Sequence, residues 1–177
     1  MAYFVLKQDP RWLHAVEVVG GFSTLQRSDD TEDGDKSKRG ADYGSLPFHV
    51  RTQSRQRYVD YLERPLPLLS DKLKRLVEKY AAKMPVRSAV LIDQEQGQQQ
   101  PYWIIAPPVV DCLSEATEFY LDGSLKQLVI EKEKVGPYHL FKLGGIREDM
   151  LIVSLALAES MLRRDFTGIR VEHVDMQ

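Results

Sequence analysis

Twice in this sequence an apolar pair runs into a serine and then into a helical pattern: "PLLSDKLKRL" from Pro67 and "LIVSLALAESML" from Leu151. A serine so placed accepts from a free first-turn amide, so each unit fixes a strand end, a cap and a helix start together. In the first unit Leu69, Leu73, Leu76, Val77 and Tyr80 share one face at helical spacing, and Asp71 suits the positive end of the dipole. This predicts a helix over 70–83. In the second, Met150 to Val153 read as a short strand, followed by a helix over 154–164 with Leu155, Ala158, Met161 and Leu162 on its inner face. Arg163 and Arg164 complement its negative end. A Thr-Gly turn then leads into "IRVEHV". There Ile169 and Val171 are expected to point inward, His173 to sit near the edge of the core, and Arg170 and Glu172 to meet solvent or a polar neighbour.

The rest of the chain reads mainly as strands. "AYFVL" is stopped by Asp9-Pro10, and "HAVEVVGGF" ends at a glycine pair. "VRSAVLID" and "PYWIIAP" are joined by the polar "QEQGQQQ", and "LKQLVIEKE" and "YHLFKLGG" follow. Strands outnumber helices without alternating with them. The expectation is an α+β fold, a single domain over 1–177, with a mostly antiparallel or mixed sheet and two main helices. A chain of 177 residues has room for one real core. From Ser28 to Asp42 the only apolar residue is Ala41, so a mobile loop is expected there.

A search for chemistry returns little. Cys112 is the only cysteine, which excludes an intramolecular disulfide framework and fits a reducing, cytoplasmic setting. In "VVDCLSE" it has no basic neighbour, and a packed thiol is expected. "DDTEDGDKSKRG" echoes a calcium loop but has Thr31 and Gly40 where the third and twelfth ligands belong. His14, His49, His139 and His173 include no close pair, so no metal site is expected. Ser70 and Ser154 are explained as caps, and the glycine pairs at 20–21 and 144–145 lack a phosphate-loop context. No cofactor is expected. The net charge of −2 argues against nucleic acid, although "RTQSRQRYVDYLERP" interleaves Arg51, Arg55, Arg57 and Arg64 with Tyr58 and Tyr61. No stretch approaches a membrane span.

Several of these segments also fall in a familiar order. Pro-rich entry to a Ser-capped helix (Leu69, Ser70), a strand with Tyr102 leading to Asp111–Ser114, the strand with Phe141 and Leu143, and the closing Ser154, Thr167, Gly168 and Val171 follow one another. Over residues 65–176 this resembles a bacterial family of immunity proteins of polymorphic toxin systems, the imm-eleven type, formerly a domain of unknown function. Lys142 stands where that family tends to have arginine. The resemblance implies a non-enzymatic protein that binds and neutralises a cognate toxin protein.

Two regions present residues suited to such a partner. One is the acidic run of Asp29, Asp30, Glu32, Asp33 and Asp35, whose charge would steer a cationic toxin cleft. The other is Tyr58, Tyr61 and Arg64, residue types that dominate interface hot spots. Two other classes of function stay open at this level: a small enzyme with a site dispersed around His139, His173 and Asp111, and a regulatory or homo-oligomeric scaffold.

Overall fold

The computed structural model describes residues 2–21 and 44–177. Two mixed sheets meet across a pair of short helices. The strands are β1 (Tyr3–Gln8), β2 (Val18–Gly20), β3 (Leu46–Val50), β4 (Tyr61–Leu62), β5 (Leu68–Leu69), β6 (Val86–Asp93), β7 (Gln98–Ile105) and β8 (Val109–Val110). They continue as β9 (Glu118–Phe119), β10 (Leu125–Gln127), β11 (Val129–Ile130), β12 (Leu140–Leu143), β13 (Leu151–Ser154), β14 (Ile169–His173) and β15 (Asp175–Met176). The helices among the described residues are α1 (Asp71–Val77), α2 (Lys132–Val135) and α3 (Leu155–Leu162). This is the expected single-domain α+β fold.

The first sheet runs β14-β1-β13-β12-β8, antiparallel except where β8 joins β12 in parallel. Its central strands are covered on both faces. In β1, Leu6 joins the core beneath α1 and α3, while Tyr3 and Val5 face a second cluster with Phe141, Ile152 and Val174. That is why "YFVL" and "LIV" read as unbroken apolar runs. The second sheet runs β2-β3-β6-β7-β5-β4, with β6 and β7 forming a long hairpin in register from Val86↔Ile105 to Asp93↔Gln98.

Both serine caps form as expected. The Ser70 hydroxyl accepts from Leu73 N, and that of Ser154 from Leu157 N. Leu73, Leu76 and Val77 are buried, each contributing roughly 1.5–3 kcal/mol of transfer free energy. The α1 helix ends earlier than 83, because after Val77 the backbone tightens, with Lys79 N donating to Leu76 O and Tyr80 N to Val77 O. The inner face of α3 also differs from expectation. Leu157, Ala158 and Met161 are buried, whereas Leu155 and Leu162 are 39% and 56% exposed. Leucines lie all around this short helix, so its sequence does not single out one stripe. The segment read as one strand, "LKQLVIEKE", instead divides into β10, β11 and the start of α2, which places Val135 in the core.

The closing strand pairs with β1, Ile169 buried and Val171 half-buried, with Arg170 and Glu172 ion-paired at 2.9 Å, as expected. His173 lies at the edge of the core, as expected: its ring is exposed and stands edge-on to Phe4, which packs on the main cluster, while Val174 turns to the opposite face of the sheet. No described helix is long and apolar enough to cross a membrane.

Candidate functional site

Asp60 gathers the residues that gave the sequence its recognisable order. Its Oδ1 accepts from the Ser70 hydroxyl at 2.6 Å, and its Oδ2 from Thr167 N at 2.8 Å and Thr167 Oγ1 at 3.0 Å. Its own amide donates to Thr167, and Ser70 N donates to the Asp60 carbonyl. Gly168 lies directly against this knot with φ +76°, and a Cβ there would stand 2.8 Å from Val59 and 2.9 Å from the Tyr61 carbonyl. Ser70, Thr167 and Gly168 therefore hold α1, β4 and the turn before β14 together. Their work is structural.

The segment between β3 and β4 is fastened to the β6–β7 turn by Asp93, a buried carboxylate. It accepts from Thr52 Oγ1 at 2.6 Å, Gln96 N at 3.0 Å, Glu95 N at 3.1 Å and Gln56 Nε2 at 3.4 Å. These hydrogen bonds, Thr52 first, hold its pKa below the ordinary carboxylate value. Of the residues expected to meet a partner here, Arg64 is exposed and Tyr58 half-buried, its hydroxyl accepting from Gln56 Nε2 at 2.9 Å. The Tyr61 ring is 1% exposed and packs in the main core. That aromatic supports the surface from beneath. Asp29, Asp30, Glu32, Asp33 and Asp35 lie outside the described residues, as does the loop expected over 28–42.

The dispersed-site reading fares differently. Leu140 pairs with Val153, Val153 with Phe4 and Phe4 with His173, so three strand spacings, about 14 Å, part His173 from the strand that His139 precedes. Asp111 follows Val110, which pairs with Leu143 at the far end of that strand. The three residues do not converge. His139 Nδ1 lies 2.8 Å from Ser154 Oγ, but that serine is sealed from solvent and already caps α3. Cys112 is buried as expected, and its burial pushes the thiol pKa up to about 11. Among the described residues no group of three His, Cys, Asp or Glu side chains could hold a metal ion.

Two exposed apolar features stand out among the described residues. One is a cleft of about 410 Å³ between the end of α1 and the approach to β12, walled by Tyr80, Met84, Pro85, Pro108 and Tyr138. Its aromatic wall is tied to neighbouring elements: the Tyr80 hydroxyl bonds Ser160 and the Ala156 carbonyl, and the Tyr80 ring stands edge-on to His139. The other is the turn joining β9 to β10, where Phe119, Tyr120 and Leu121 are 43%, 56% and 110% exposed. Sequence reasoning passed over this turn, although Asp122-Gly123 after an apolar triplet is a hairpin signal.

Compared with known proteins, residues 23–176 match the model of a family described as "Immunity protein family (Imm11)". The match begins well upstream of residue 65 and so also takes in β3, β4 and Asp60. No curated protein matches the chain.

Proposed function

The chain belongs to the Imm11 immunity protein family, and on that premise we propose that it binds a toxin protein and neutralises it by occlusion, carrying out no reaction of its own. The family match over residues 23–176 carries this reading. The setting we propose is the cytoplasm of a bacterium with a polymorphic toxin system, where the producer must survive its own effector. Apolar and aromatic side chains held in solvent support an interface, since such groups supply the hot spots of protein complexes. A complex of this kind buries about 1,200–2,000 Å² in total. The acidic run of Asp29, Asp30, Glu32, Asp33 and Asp35 belongs to the proposal as a steering element, with Tyr58 and Arg64 as the alternative contact surface.

The test is co-expression with the toxin encoded beside this protein's gene. Growth should be restored in the presence of the immunity protein, and the two should copurify at a fixed stoichiometry. Cells that die regardless, with no complex recovered, would refute the reading.

A further inference from the structure

The turn between β9 and β10 is well held, yet its apolar side chains are left in water. Tyr120 N donates to the Ser124 carbonyl at 2.8 Å, and Gly123 N to the Tyr120 carbonyl at 2.9 Å. The Asp122 carboxylate accepts from Ser124 N at 2.9 Å and from Ser124 Oγ at 2.6 Å, closing the loop on itself. Arg147 reaches across to the Asp122 carbonyl at 2.6 Å, and its guanidinium lies where a Cβ on Gly123 would come within 3.0 Å. Gly123 also has φ +81°, which a side-chain-bearing residue adopts only with strain. Leu125 N, just beyond, donates to Glu148 at 3.0 Å. A turn held this way loses little conformational freedom when something binds it, which is what a preorganised contact requires.

Phe119 is partly covered through its pairing with Leu125, but Leu121 at the tip contributes nothing to the core. Leu121 is 110% exposed and touches no core cluster. The three side chains together offer on the order of 400 Å². That is roughly half of the about 800 Å² each partner contributes to a stable interface, so two such tips facing one another would not make a firm dimer. An apolar projection of this size suits insertion into a concave site. The charge around it says which kind. Residues 111–124 contain Asp111, Glu115, Glu118 and Asp122, all exposed, and no Lys or Arg. The cations beside these acids are Lys126, paired with Glu118, Lys134, paired with Glu131 and in the field of Asp111 and Glu115, and Arg147, bonded to a carbonyl, which leaves the acids in modest excess.

We infer that the β9–β10 hairpin is the element that docks on the toxin, with Tyr120 and Leu121 inserted in a concave, apolar-floored site whose rim is basic. This rests on the toxin-binding reading above and gives it a place and a partner chemistry. A basic cleft is what a toxin acting on an anionic substrate presents, and the surrounding acids raise the encounter rate with it.

The experiment uses the full chain and the toxin encoded beside its gene. Three versions are compared: wild type, the double variant Tyr120→Ser with Leu121→Ser, and Glu115→Lys, which leaves the turn's own hydrogen bonds untouched. The expected result is an unchanged melting temperature for all three, a loss of affinity of 100-fold or more with loss of protection for the double variant, and a several-fold slower association for Glu115→Lys that vanishes at high salt. If wild type and double variant bind and protect alike, the hairpin is not the docking element, although toxin neutralisation stands. If wild type itself neither binds nor protects, the toxin reading falls and the inference with it. Wild type that is dimeric by light scattering, with a monomeric double variant, would assign the tip to self-association and overturn the inference.

Discussion

The Asp60 knot and the β9–β10 tip treat their side chains in opposite ways. At the knot the polar atoms are turned to one another: one carboxylate serves Ser70 and Thr167, and Gly168 is pressed against Val59. At the tip the polar atoms brace a short turn, and the apolar ones are left outside. The first arrangement ties together residues separated by 107 positions in sequence, while the second closes mostly on itself and is braced from outside by Arg147 and Glu148. The knot is what makes the domain, and the tip is what the finished domain can offer a partner.

The contrast can be broken at the knot. Gly168→Ala forces a Cβ into Val59 and the Tyr61 carbonyl at a backbone angle alanine resists, and should cost about 3 kcal/mol of stability in urea unfolding. Asp60→Ala leaves the Thr167 amide and the Ser70 hydroxyl without their acceptor, and should cost about 2 kcal/mol. Both variants, assayed at a temperature where they remain folded, should still bind the toxin with near wild-type affinity. Weak binding by folded Asp60→Ala would mean that frame and contact surface are not separate.

Those two positions also show what the sequence could and could not reveal. Ser70, Ser154 and the Thr-Gly turn were legible because a cap or a positive φ demands a particular residue type at a particular offset. Asp60, which links two of them, was not legible, since an acid whose partners are 10 and 107 residues away leaves no local pattern. The short α2 was missed for a related reason. Four residues give no helical period, and only Val135 is buried. The tip is not legible because the exposure of "EFYL" depends on how β9 and β10 pair, with Leu125 turned to the core and Leu121 left in water.

Acid should test the bracing of the tip. The Ser124 hydrogen bonds hold the Asp122 pKa below its ordinary value of 3.8, so their support is complete above that value and is lost as pH falls through the lowered folded-state pKa. Asp93 behaves in the same sense, with Thr52 as the first cause. Amide exchange around Ser124 should therefore accelerate only below about pH 4, once intrinsic rates are corrected. Acceleration already at pH 5–6 would contradict this account of the turn.

The smallest effects belong to the acidic run outside the described residues and to single side chains at the tip. Replacing Asp29, Asp30, Glu32, Asp33 and Asp35 by Ser or Asn should leave unfolding unchanged and slow toxin association several-fold at low salt only. An unchanged association rate would remove the run from the proposed mechanism. Leu121→Ser alone should change stability by less than about 0.5 kcal/mol, because its side chain gives up no buried contact.

The most direct test of the division between frame and contact surface is hydrogen–deuterium exchange on the intact protein, free and with its toxin bound. The account predicts slowed exchange confined to the hairpin of residues 118–127 and its immediate neighbours, with no change at Asp60, Thr167 and Gly168. Slowed exchange on another face, with the hairpin amides exchanging as they do in the free protein, would contradict it.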